Sequence, residues 1–75
     1  MMMNIYAPEG TKVRYTGTGG YQGDKDHANK HLVVGEIYTV LETEVHSSIS
    51  YVYLKEISNQ NFNTVMFEGI DAASI

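Results

Sequence analysis

Three apolar-alternating runs in the second half of the chain limit its fold more than any other feature. Residues 36–45 read E-I-Y-T-V-L-E-T-E-V, residues 49–56 read I-S-Y-V-Y-L-K-E, and residues 62–68 read F-N-T-V-M-F-E. Each is rich in β-branched and aromatic residues and is bounded by Gly, Ser or Asn, the pattern of strands joined by turns. An earlier run, Lys12-Val13-Arg14-Tyr15-Thr16, alternates the same way and puts Val13 and Tyr15 on one face. The expectation is a mainly β domain of four to five antiparallel strands.

At 75 residues the chain makes one small domain, and it has no cysteine to staple it. A flat sheet of this size leaves one face wet and two edges open, whereas a curled one encloses its own core. Val13, Tyr15, Ala28, Leu32, Tyr38, Val40, Val52, Leu54, Val65 and Phe67 are the expected interior. Residues 1–10 read as a leader that turns at Pro8 and Gly10, residues 11–70 as the barrel, and residues 71–75 as a tail. Between the first and second strands, D-K-D-H-A-N-K-H-L at 24–32 has helical character, with Asp24 or Asp26 as N-cap and Ala28 and Leu32 facing inward. Ser58-Asn59-Gln60-Asn61 reads as a polar turn before the last strong strand.

The charge balance narrows the function. Five Lys and Arg residues face nine Asp and Glu residues, for a net charge of −4. Binding to duplex nucleic acid relies on neutralising phosphates, so that class is disfavoured. No run is long and apolar enough for a membrane helix, and the start lacks the pattern of a secretory signal, so a cytoplasmic protein is expected. No nucleophile elbow or paired acid and base is recognisable, and neither an enzyme nor a cofactor is expected.

Three groups of residues carry binding potential. Tyr51 and Tyr53 project from their strand opposite Val52 and Leu54, with Phe62 and Met66 expected beside them from the next strand and Tyr21 on the loop before the helix. Aromatic residues and Met are enriched at protein interfaces, although the same residues can cover the second face of a sheet. The glycine-rich stretch G-T-G-G-Y-Q-G at 17–23 misses the dinucleotide fingerprint but offers backbone amides. With Gly19, Gly20, Lys12, Arg14, Lys25 and Lys30 it makes an anion- or nucleotide-binding candidate, against the plain reading of a flexible loop. His27 and His31 are four apart with Asp24 three before His27, an incomplete metal-ligand set that equally suits a solvated helix face.

The stretch L-V-V-G-E-I-Y-T-V at 32–40 resembles the L-x-x-G-x-x-Y-x-V segment of SH3-like small β-barrels. The order G-Y-Q-G-D, A-N-K-H-L, G-E-I-Y-T-V, V-Y-L-K-E and F-N-T-V-M-F-E is similar to short, poorly characterised proteins of tailed phages and prophages, over residues 11–69. The resemblance implies a small SH3-like antiparallel barrel and a viral setting in the host cytoplasm, with no catalytic residues to carry over. It points to a stoichiometric binding protein that inhibits or modulates a host factor, a defence component among the candidates. The alternatives are an oligomer that sequesters a nucleotide or small anion, and a single-stranded nucleic-acid binder that stacks bases on tyrosines.

Overall fold

The computed structural model describes residues 3–70, and the 71–75 tail expected from the sequence lies outside them. Five strands are present: β1 (Lys12–Tyr15), β2 (Ile37–Val45), β3 (Ser50–Leu54), β4 (Ile57–Asn63) and β5 (Phe67–Gly69). The helix α1 (Gln22–Asn29) lies between β1 and β2, and a single 3-10 turn, Thr64–Met66, joins β4 to β5. All neighbours are antiparallel, in the order β4-β3-β2-β1-β5. This open sheet with one helix is the mainly β architecture expected, and it is consistent with a small SH3-like fold.

Two local features make the sheet curl. The first is an irregularity in β2 between Val40 and Glu42, where the register against β3 shifts. The amino-terminal part of β2 pairs with β1, Val13 opposite Tyr38, and its carboxy-terminal part pairs with β3, Val45 opposite Ser50. A bulge of this kind bends and twists a strand. The second is the short 3-10 connection. It runs from Asn63 at one edge of the sheet to Phe67 at the other, a reach of at most roughly 14 Å. The two edges must therefore approach one another, and the concave side becomes the core.

Eight of the ten expected interior residues are buried, Tyr15, Leu54 and Phe67 among them, while Tyr38 and Val65 pack on the core partly exposed. The alternation in β1 and β3 holds, with Val13 and Tyr15, then Val52 and Leu54, turned inward. Thr39, which is not among the expected interior residues, is buried and bonded to Glu56 and Lys12.

The structure corrects the sequence reading at three places. Residues 58–61 form no turn: the β3–β4 reversal is at Lys55 and Glu56, and the polar run continues as strand β4. Phe62 and Met66, expected on an outer face, are 1% and 0% exposed. Phe62 lies opposite Val52 in the ladder and so shares its inward face, and the 3-10 turn breaks the two-residue period before Met66. The residues before β1 also join the core, through Met3 and Ala7, and the Met3 amide donates to the Phe67 carbonyl at 3.1 Å along the edge of β5. No helix among the described residues is long and apolar enough to cross a membrane.

Candidate functional site

A cleft of about 760 Å³ opens where the β2–β3 hairpin, the glycine loop and the β4–β5 connection meet. The hairpin supplies Val45 and residues 46–49, closed by the His46 amide donating to the Ile49 carbonyl at 2.9 Å. Ile5 comes from the leader, Gly20 and Tyr21 from the loop, and Asn63, Thr64 and Val65 from the end of β4 and the 3-10 turn. The buried hydroxyls of Ser50 and Thr64 share a hydrogen bond of 2.6 Å at its base.

Glycine lets the loop lie this close to the 3-10 turn. Gly19 and Gly20 have φ of +81° and +71°, and a Cβ on Gly19 would stand 3.1 Å from the Val65 carbonyl oxygen. The chain then enters α1, where one oxygen of the Asp24 carboxylate accepts from the Tyr21 amide and from the Asn63 side chain, both at 3.2 Å. Asn63 in turn accepts from the Val65 amide at 3.1 Å. This chain of bonds ties loop, helix and turn together, with Tyr21 lining the cleft and 77% exposed.

The residues singled out from sequence are distributed unevenly around this site. Tyr21 and Gly20 line it, whereas Tyr51 and Tyr53 are half-buried on β3. Tyr51 stands edge-on to His46, ring centres 5.9 Å apart, and the Tyr53 hydroxyl takes a long 3.5 Å bond from Asn61. Phe62 and Met66 are core residues and offer no surface.

The anion set is not assembled. Lys12 donates to the Thr39 hydroxyl at 2.7 Å, Arg14 pairs with Glu68 at 3.3 Å, and Lys30 caps the carboxy-terminal end of α1 while Lys25 sits near its start. At the helix start the Asp24 carboxylate already occupies the place an anion would take. The metal set is likewise divided. His27 Nε2 is 3.2 Å from the Asn61 carbonyl oxygen with its ring stacked on Phe62, His31 packs edge-on to His27, and Asp24 faces Asn63. Among the described residues no group of three or more His, Asp or Glu could hold a metal ion.

Ile5, Asn63 and Thr64 were invisible as site residues in the sequence. The one available signal was Asn63 itself, a polar residue inside an apolar run.

Comparison with curated proteins and with solved structures returns no match. A family model does match: that of the family described as bacteriophage T4 protein Y07B, over residues 4–74. With nearly its whole length matched, the chain belongs to the bacteriophage T4 protein Y07B family.

Proposed function

We propose that this phage protein is a non-catalytic binding protein, acting stoichiometrically on a host protein in the host cytoplasm, with components of host defence among the targets. The observation that carries the reading is the cleft. It combines an exposed aromatic ring, aliphatic walls from Ile5, Val45 and Val65, and hydroxyl and amide groups from the hairpin and Asn63. That mixture of apolar area and adaptable hydrogen bonding is the composition of protein recognition surfaces. Tyr21 is the residue expected to contribute most, because its ring is exposed while its backbone is fixed by Asp24. A backbone already held in place lowers the ordering cost of binding.

The test is quantitative capture of the tagged protein from host cells, comparing the natural chain with Tyr21→Ala and with Lys30→Ala at the other end of α1. The expected result is one host protein recovered at equal stoichiometry by the natural chain and by Lys30→Ala. Recovery by Tyr21→Ala should fall about tenfold, the loss of one aromatic anchor. Equal recovery by all three would remove the cleft from the interface.

A further inference from the structure

We infer that the cleft accepts an uncharged, extended segment of the host partner, with a main-chain carbonyl oxygen bonded to the hydroxyl pair at its base. This rests on the reading of the cleft as the docking site and adds the chemistry of what docks there. A proton count at the base of the cleft carries it. Ser50 and Thr64 are 9% and 1% exposed, and their hydroxyls share one hydrogen bond of 2.6 Å. Each hydroxyl carries one proton, so whichever of the two accepts keeps its own proton unused. Among the described residues neither hydroxyl has another partner. A buried donor without an acceptor is unfavourable. Both residues line the cleft, so an oxygen that enters it can accept that proton.

The charge pattern selects a neutral oxygen. None of the residues lining the cleft is Lys, Arg, Asp or Glu, and the His46 ring is engaged with Glu44 at 3.1 Å. A carboxylate or phosphate would enter with no cation to meet it. Lys12 is bonded to Thr39, Arg14 to Glu68 and Lys55 to Glu9, while Lys25 and Lys30 lie outside the lining. The net charge of −4 opposes such an anion as well. An ammonium or guanidinium group only donates, so it leaves the hydroxyl proton unmet and finds no carboxylate in the lining. A peptide carbonyl meets both conditions. Ile5, Val45, Ile49 and Val65 supply aliphatic walls for a side chain of the same segment.

The experiment uses the full chain labelled with ¹⁵N and titrated with the blocked peptide acetyl-Gly-Val-Leu-Val-Gly-amide, followed by NMR. Two further peptides carry Lys or Asp in place of the central Leu. The expected result is saturable shifts of the Tyr21, Ser50 and Thr64 amides by the Leu peptide. Both charged peptides should bind at least about threefold more weakly, since each must bury an unpaired charge. Ser50→Ala combined with Thr64→Val removes both hydroxyls and should weaken the Leu peptide about twofold to tenfold, the loss of one hydrogen bond. Thr64→Val alone leaves Ser50 with its proton unused and should bind like the natural chain. In the natural chain the bound peptide should also shield a Ser50 or Thr64 hydroxyl proton from exchange with water, a readout that stands even if the double variant fails to fold. Equal binding of the three peptides, undiminished binding by the folded double variant, an unshielded hydroxyl proton, shifts confined to other surfaces, or no shifts would each overturn the inference. So would a dimer, seen by light scattering, that Tyr21→Ala dissolves, since a second copy would then fill the cleft. If the peptides fail but host capture still depends on Tyr21, the neutral-carbonyl chemistry falls and the docking site stands. If capture is indifferent to Tyr21, the docking site itself falls.

Discussion

Val52 and Phe62 stand directly opposite each other across β3 and β4, and both are sealed in the core. His27 stacks on the same Phe62 ring with centres 5.3 Å apart, so one side chain joins the sheet to the helix. Phe62→Ala should therefore cost about 3–5 kcal/mol, a large share of what a domain this small possesses. Urea denaturation measures it. A change within 1 kcal/mol would contradict the burial of Phe62.

Glu56 holds the β3–β4 turn in place. Its carboxylate accepts from the Thr39 amide and hydroxyl, both at 2.9 Å. Burial works to raise its pKa, but the bonds from Thr39 and from its own amide, with Lys12 nearby, outweigh that and bring it below the ordinary 4.5. A carboxyl with a lowered pKa contributes stability that is fully present above its unfolded value and lost as pH falls through its folded value. The urea midpoint of the natural chain should exceed that of Glu56→Gln at neutral pH, with the difference closing in acid below about pH 4.5. A difference that does not vary with pH would exclude this role.

Gly17 and Gly10 both have positive φ, +72° and +94°, but their surroundings differ. A Cβ on Gly17 would meet Val34 Cγ2 at 2.6 Å, whereas Gly10 has open space. Gly10→Ala should cost about 1–2 kcal/mol from backbone conformation alone. Gly17→Ala should cost more, and adding Val34→Ala should return it to the Gly10→Ala level. Equal costs for the two single substitutions would show that the loop moves away from Val34.

Tyr15 is buried at the carboxy-terminal end of β1, and its hydroxyl donates to Asn29 Oδ1 at the end of α1, 2.7 Å away. Tyr15→Phe should cost about 0.5–1.5 kcal/mol. Burial, and to a lesser degree Tyr38, raises the phenol above its ordinary 10.0. The neutral form is thus favoured by folding, and stability falls as pH rises through the raised value. In a spectrophotometric titration the Tyr15→Phe protein should lack the last tyrosine to ionise. Unchanged late ionisation would assign it elsewhere.

The sequence disclosed those parts of the fold governed by short-range period. Val13 with Tyr15 and Val52 with Leu54 lie on one face because alternate residues of a strand must. The helix was readable from Asp24 and Ala28, although it begins two residues before Asp24, at Gln22. The β3–β4 turn was not readable, because Ser58 to Asn61 have turn chemistry while the real turn is held by a bond from Glu56 to Thr39, seventeen residues away. An unbroken strand running to Phe67 would turn Phe62 and Met66 outward, but a 3-10 turn intervenes and breaks the period. Of the residues lining the cleft, only Tyr21 and Gly20 stand out in the sequence, since the cleft is assembled from four separate segments whose meeting no local pattern encodes.

Under the proposed function, the cleft is the surface that would meet a host protein. Its most direct measurement is site-specific photocrosslinking in host cells, with a benzophenone amino acid at Ser48 on the cleft or at Asn59 on exposed β4. Cleft docking predicts one crosslinked host protein from position 48 and none from position 59. Crosslinks from position 59 with none from position 48 would contradict it.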